Sequence, residues 1–209
     1  MDFYFGQVSG NSARVAFALH EMGVPFRPRP IDMRAGESRL PGYLAVNPMG
    51  KIPALVDGAF QLWESNAINW YLAEMNPNAG FFPTTPAARA SVQRWLLFQT
   101  GHVTPECFPI IRAHSARMQK AWNLSGTPEA AEAARKVLPR FLSVLEQALS
   151  GRPWLEGEFS LADIAYAPHL WLVDEAGFDF STTPAVRAWL DRLLARPAWL
   201  EARLMIFGE

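Results

Sequence analysis

Two short segments of this chain combine residues that could hold a small peptide. The first, Asn47–Leu55, reads NPMGKIPAL, and the second, Glu64–Ile68, reads ESNAI. Pro53 interrupts a strand-like run, and proline in a sheet is confined to an edge or a turn, where it often takes the cis form. A cis bond after Ile52 would leave the N–H and C=O of Ile52 free to pair with the backbone of a bound peptide.

The second segment opens a helix. Glu64 or Ser65 precedes a helical pattern of apolar residues formed by Ala67, Ile68, Tyr71 and Leu72. The first N–H groups of a helix have no partner within it, and together with the helix dipole they attract an anion. A sheet edge followed by a helix start therefore suits a small peptide that carries a free carboxylate.

The elements that must position these segments alternate between strand and helix over residues 1–76. Apolar runs predict strands at Phe3–Phe5, Phe26–Ile31, Ala54–Asp57 and Phe60–Leu62, and helices at Ser12–Met22 and Ser65–Met75. Prolines in the second strand predict an edge position, and Asp57-Gly58 is a strong signal for a hairpin turn. This βαβ–ββα order resembles the thioredoxin fold.

The rest of the chain is predicted to be helical. Residues 77–86 are rich in proline and are predicted to link the first domain, 1–76, to an all-α domain, 87–209. Helical spacing is seen at Val92, Trp95, Leu96 and Gln99, and again at Val137, Phe141, Val144, Leu145 and Ala148. Pro139 should kink the second of these helices. Ser160–Asp163 resembles a capping box for a helix ending near Glu175, and two shorter helices follow, split near Arg196-Pro197.

Composition narrows the function classes. The formal net charge is −1, which leaves no electrostatic footprint for nucleic acid or an anionic membrane. Cys107 is the only cysteine and the four histidines are scattered, so neither a disulfide framework nor a metal site is expected. No basic leader precedes an apolar run, and no segment approaches membrane-spanning length. A cytoplasmic enzyme is therefore expected.

NPMGKIPAL and ESNAI together resemble the second half of the glutathione-binding domain of cytosolic glutathione S-transferases, and the all-helical second domain extends this resemblance over the whole chain. The active site is similar to that of the serine-type members, either theta- or phi-like or nu-like. The resemblance implies that the chain binds glutathione as a co-substrate, without a metal, and directs its thiolate at a small electrophile. A homodimer is also expected from the family.

The thiol-activating residue is expected between the first strand and the first helix, in Ser9–Val15. In serine-type transferases the activating hydroxyl stands six residues before a helix position like Val15, which here selects Ser9. A related group has a Thr-Pro-Asn-Gly turn at this place, and Asn11 falls on its asparagine. Ser9 and Asn11 therefore both remain candidates as the donor to sulfur. A turn or N-cap role is the alternative for Ser9 and Asn11, whereas it is favoured for Ser12.

The resemblance also assigns the glutathione contacts. Glu64 would bind the ammonium group and Ser65 the carboxylate of the γ-glutamyl end, while Ile52-Pro53 would pair with the peptide backbone. Lys51 and Arg39 would approach the glycyl carboxylate, although either could be an ordinary surface charge. Walls for the second substrate are expected from the first helix of the second domain, at Phe98, His102, Glu106 and Phe108.

Two alternatives to a transferase remain open at this stage. A relative of the family could keep the fold as a non-catalytic binding or regulatory module. The same thiolate site could also serve a glutathione-dependent peroxidase or disulfide reductase, because these activities differ in the second pocket and not in the thiol site.

Overall fold

The computed structural model describes residues 1–81, 83–122 and 126–208. These residues form two compact units. The first comprises Met1–Ala79 together with the last helix, Pro197–Phe207, and the second comprises Gly80–Arg196. The sequence analysis had placed the last helix in the all-α domain, whereas in the structure it packs against the first helix.

The strands are β1 (Asp2–Phe5), β2 (Arg27–Pro30), β3 (Ala54–Asp57) and β4 (Phe60–Trp63). The helices of the first unit are α1 (Gly10–Glu21), α2 (Pro41–Leu44), α3 (Ser65–Met75) and α11 (Pro197–Phe207). Those of the second are α4 (Pro86–Phe98), α5 (Thr104–His114), α6 (Ala116–Trp122), α7 (Pro128–Leu149), α8 (Leu161–Ile164), α9 (Ala167–Glu175) and α10 (Pro184–Leu194). Short 3₁₀ turns cover Glu37–Arg39 and Pro77–Ala79.

The sheet of the first unit has the order β2-β1-β3-β4. β1 pairs with β2 in parallel, and the β1–β3 and β3–β4 pairs are antiparallel. β2 lies at an edge, as its prolines predict, because proline cannot donate to a second neighbour. Phe3 and Phe5 of β1 are buried, and so is most of α1, which packs against α3 and α11.

The second unit consists of helices. Gln99–Val103, between α4 and α5, form a single π-helical turn that the sequence analysis did not predict. Pro105 explains it, since proline lacks the N–H that would bond the carbonyl of Gly101 in an α-helix. α7 continues through Pro139 to Leu149.

The sequence predicts one helix from Ser160 to Glu175, and this prediction is wrong in one respect. In the structure this segment is divided into two helices, α8 and α9. Pro168, in the first turn of α9, cannot donate to the carbonyl of Ile164, so the helix is interrupted between them. The predicted capping box is present at the start of α8. Asp163 accepts hydrogen bonds from the N–H groups of Leu155 and Ser160 at 3.0 and 2.9 Å and from the Trp189 indole at 2.9 Å. The predicted fold class, a thioredoxin-like unit followed by an all-α unit, is confirmed.

Candidate active site

The loop before β3 presents a free stretch of backbone. The Ile52–Pro53 bond is cis, the form that proline often takes at such a place, and the N–H and C=O of Ile52 have no hydrogen-bond partner among the described residues. The preceding carbonyl, that of Lys51, accepts from the hydroxyl of Tyr43 at 2.6 Å and from the amide of Asn47 at 2.7 Å. Burial raises the pKa of Tyr43, which keeps its hydroxyl a neutral donor. The loop is therefore fixed on one side while Ile52 keeps its own polar groups for a ligand.

Gly50 and Gly6 each allow a close approach at this loop. Gly50 has a φ of 60°, and a Cβ there would lie 2.9 Å from the backbone oxygen of Ser38. A Cβ on Gly6 would lie 2.6 Å from Cδ1 of Ile52. Both glycines thus allow close approaches that a side chain would obstruct.

The start of α3 faces the same place. Glu64 precedes the helix with a φ of 70° and a ψ of 111°, and it makes no side-chain cap. Ser65, 6% exposed, follows as the first helical residue, and its Oγ accepts a hydrogen bond from Nη1 of Arg14 at 2.8 Å. An uncapped helix start with a buried hydroxyl is suited to an anionic group.

These elements enclose a small cavity of about 120 Å³. Its walls include six residues that the sequence analysis had selected, namely Asn11, Lys51, Ile52, Pro53, Glu64 and Ser65, together with Asn47 and Met49. The ammonium group of Lys51 is exposed and has no ion-pair partner among the described residues. The cavity therefore brings together a cation, a carboxylate, a helix start and a free backbone edge.

Ser9 and Arg39 are not among the residues that line this cavity. Ser9, 8% exposed, is the N-cap of α1, and its Oγ accepts from the N–H of Ser12 at 3.2 Å. Its hydroxyl hydrogen has no acceptor among the described residues, so the capping role leaves that hydrogen available. Arg39 donates from Nη1 to the carbonyl of Met49 at 3.5 Å, a contact that braces the loop.

The four residues selected for a second-substrate pocket do not form one cluster in the described part of the second unit. Phe98 and His102 lie 5.3 Å apart by ring centroids, and both pack against Phe141 of α7. These two also line a surface groove of about 460 Å³. Phe108 instead packs edge-on against His169 of α9 at 5.3 Å. Glu106 is half-buried on α5. A role for these four residues stays a prediction.

Other reactive groups lie outside this site. Cys107 is fully buried, and burial raises the pKa of its thiol, so it packs as a small apolar residue. No group of three His, Cys, Asp or Glu side chains in residues 1–81, 83–122 and 126–208 is placed to hold a metal ion. Within that same part of the chain, no helix has both the length and the apolar character needed to cross a membrane.

Sequence reasoning missed Arg14 and Asn47 as parts of the site. Both lie inside segments that had been singled out, Ser9–Val15 and Asn47–Leu55, but neither received a role. Arg14 is only 1% exposed. The sequence did contain a signal for Arg14, because it stands between Ala13 and Val15 in an apolar helix. A charged residue at such a position is rarely buried unless it is paired with another group.

Comparison with known proteins agrees with this geometry. Residues 8–75 match the family described as "Glutathione S-transferase, N-terminal domain", and residues 128–192 match "Glutathione S-transferase, C-terminal domain". The chain is similar to Glutathione S-transferase 3 of Zea mays, with 36% identity over 208 residues that cover 95% of this chain and 91% of that protein.

Solved structures give the same result. Glutathione transferase F2 from Populus trichocarpa superposes with a TM-score of 0.88 at 27% identity, covering 98% of this chain and 97% of the other. Glutathione S-transferase-I bound with lactoylglutathione gives a TM-score of 0.84 at 28% identity, covering 96% and 97%. The fold is that of a thioredoxin-like, glutathione-binding class of protein. The chain belongs to the glutathione S-transferase family, and the resemblance recognised in its sequence is confirmed.

Proposed function

We propose that this protein is a glutathione transferase, which binds glutathione in the cavity between the cis-proline loop and α3 and directs its thiolate at an electrophilic carbon. The observation that carries the proposal is the free backbone of Ile52 beside the start of α3. A cysteinyl residue could pair with that backbone as an added strand does. A γ-glutamyl group would then reach Glu64 and Ser65.

The charges of the cavity match the ends of the tripeptide. The carboxylate of Glu64 suits the γ-glutamyl ammonium group, and the hydroxyl of Ser65 with the N–H groups of α3 suits its carboxylate. Lys51 is assigned to the glycyl carboxylate as a point charge. Arg39 supports the same end, and its contact with the Met49 carbonyl already places it against this loop.

The chemical step requires the thiolate of glutathione. A free thiol has a pKa of about 8.5, and lowering it by about two units requires roughly 2.7 kcal/mol of differential stabilisation. A hydroxyl hydrogen bond from Ser9 and the N-terminus of α1 supply that order of energy. The thiol proton leaves to water, and the sulfur lone pair forms a bond to carbon. In a substitution the leaving group departs with its bonding electrons.

Asn11 is the second candidate for the donor to sulfur. It lines the cavity, it is half-buried, and its amide has no partner among the described residues. Only substitution of the true donor should reduce turnover, so a comparison of Ser9→Ala with Asn11→Ala decides between the two residues.

The test combines binding with turnover. Titration calorimetry should detect glutathione binding, and chlorodinitrobenzene should be consumed in a glutathione-dependent reaction. Ser9→Ala should cut turnover roughly 100-fold with nearly unchanged glutathione affinity, as the loss of one charge-assisted hydrogen bond would. If Asn11→Ala has this effect instead, Asn11 is the donor. Absence of both binding and turnover in the unmodified protein contradicts the proposed function.

Thr127→Ala is the matched control for Ser9→Ala. Thr127 caps α7 through the same kind of bond, accepting from the N–H of Ala130 at 3.2 Å. Each variant loses one N-cap, which costs about 1 kcal/mol of stability. Only Ser9→Ala should lose turnover, so an equal loss in both variants would attribute the effect to stability.

We also propose a cytoplasmic homodimer. Apolar side chains are exposed on β4 of the first unit, at Phe60 and Trp63, and on α4 and α7 of the second, at Leu97 and Val144. Such surfaces suit a second copy of the chain. A reducing compartment keeps glutathione in the thiol form that the reaction consumes. Sedimentation should show a mass that falls on dilution toward that of one chain.

A further inference from the structure

Arg14 is a buried cation placed directly behind the candidate carboxylate site. It lies on α1, is 1% exposed, and donates from Nη1 to the hydroxyl oxygen of Ser65 at 2.8 Å. Removing a guanidinium from water is strongly unfavourable unless its contacts compensate. The burial of Arg14 therefore depends on its contacts, and one of these, the bond to Ser65, reaches a hydroxyl that lines the cavity.

The direction of this hydrogen bond has a chemical consequence. A guanidinium carries only donors, whereas a hydroxyl carries one hydrogen and two lone pairs. Because Arg14 donates, the oxygen of Ser65 accepts, and its single hydrogen must point elsewhere. That hydrogen has no acceptor among the described residues, and Ser65 lines the cavity. The hydrogen is thus left for an acceptor inside the cavity.

We infer that Arg14 is a positioning residue, which holds the Ser65 hydroxyl as a donor aimed at the γ-glutamyl carboxylate of glutathione. The inference rests on the proposed function and specifies how that site selects its ligand. The positive charge behind the hydroxyl also polarises the O–H bond, which strengthens its donation to an anion. Arg14 itself acts through Ser65 and is not placed at the reacting sulfur.

Asn69 provides a matched control within the same interface. It lies one turn after Ser65 on α3, is 1% exposed, and donates from Nδ2 to the backbone carbonyl of Arg14 at 3.3 Å. Asn69 therefore joins α1 to α3, as Arg14 does, without touching the Ser65 hydroxyl. Damage that merely loosens this interface should appear in Asn69→Ala as well.

The experiment uses two ligands that differ only in the carboxylate. One is glutathione, and the other is γ-aminobutyryl-cysteinylglycine, in which a hydrogen replaces the α-carboxylate of the glutamyl residue. Dissociation constants are measured by calorimetry for the unmodified protein and for Arg14→Met, Ser65→Ala, the double variant and Asn69→Ala. Thermal unfolding confirms that each variant is folded.

Arg14→Met should weaken glutathione binding roughly 10- to 100-fold, the effect of losing a hydrogen bond to a charged group. Binding of the decarboxylated analogue should change less than about two-fold. Ser65→Ala should give the same pattern, and the double variant should lose no more than Ser65→Ala alone. Asn69→Ala should affect both ligands equally.

Two results would overturn the role of Arg14 while leaving the proposed function standing. One is an equal loss for both ligands in Arg14→Met, and the other is a multiplicative loss in the double variant. If Arg14→Met does not fold, Arg14→Lys replaces it, since lysine keeps a buried cation but loses the rigid guanidinium fork that fixes the direction of the bond to Ser65. It should weaken glutathione more than the analogue, and equal losses would again overturn the inference. An unmodified protein that does not bind glutathione would contradict the proposed function as well.

Discussion

At position 64, a glycine variant should be more stable than an alanine variant, which is the reverse of the usual order. The φ of 70° at Glu64, with a ψ of 111°, lies outside the regions open to L-residues, and such a backbone costs roughly 1–3 kcal/mol. Glycine avoids this cost, but its greater freedom when unfolded costs roughly 0.4–1 kcal/mol. Glu64→Gly should therefore be more stable than Glu64→Ala by roughly 1 kcal/mol.

The assay is thermal or urea unfolding of both variants without ligand, monitored by circular dichroism. For a chain of 209 residues, a difference of 1 kcal/mol corresponds to roughly 2–4 °C in the melting temperature. Both variants should bind glutathione more weakly than the unmodified protein, because each lacks the carboxylate assigned to the ligand ammonium group. These two results together would show that the backbone of Glu64 lowers the stability of the protein while its carboxylate contributes to binding.

Glu74 supplies the matched pair. It is an exposed glutamate in the last turn of the same helix. Its one hydrogen bond to a described side chain, accepted from the Trp70 indole at 3.2 Å, is lost equally in both variants. Here glycine should be the less stable variant, by up to about 1 kcal/mol. If alanine is favoured at position 64 by as much as at position 74, the backbone of Glu64 carries no cost and the reasoning is refuted.

Three further predictions concern the loop and the second unit. Gly50→Ala should lower the free energy of unfolding by about 2 kcal/mol. Gly58→Ala is the control and should lower it less, because Gly58 has a similar φ of 61° but no atom lies within 4 Å of an added Cβ there. Equal urea midpoints for the two variants would contradict this prediction. Gly6→Ala should displace Ile52 and weaken glutathione binding about ten-fold, whereas calorimetry showing unchanged affinity would exclude that coupling. Burial raises the pKa of Asp163 from 3.8 to about 6, although four hydrogen bonds to its carboxyl group act in the opposite direction. The folded protein therefore favours the protonated carboxyl group more than the unfolded chain does. The stability that this difference contributes is full below about pH 4 and is lost as the pH rises through 6. Urea unfolding at several pH values should show this loss in the unmodified protein but not in Asp163→Asn.

Local signals were sufficient to predict the backbone of the site. Pro53 inside a strand-like run and the change of period at Ser65 each report a conformation that depends on neighbouring residues only. The edge position of β2 followed in the same way, since its prolines exclude a central position. The roles of individual side chains in this site remain predictions that the experiments above address.

Contacts between distant elements could not be predicted in this way. The bond from Arg14 to Ser65 joins residues 51 positions apart, and only the packing of α1 on α3 brings them together. The π-helical turn and the break before α9 had local signals, Pro105 and Pro168, but an apolar pattern of period 3.6 continues through both and conceals them. The walls of a second-substrate pocket depend on long-range packing alone.

The hydroxyl groups of Ser9 and Ser65 are oriented in the same way, and this explains why a capping role for Ser9 does not argue against a role in binding. Each hydroxyl accepts a hydrogen bond from the protein, Ser9 from the N–H of Ser12 and Ser65 from Arg14. Each therefore keeps a single hydrogen with a restricted direction, and neither hydrogen has an acceptor among the described residues. In the proposed function these two hydrogens meet the sulfur and the γ-glutamyl carboxylate. A ligand gains most from donors that are oriented before it arrives, because no further ordering is then required.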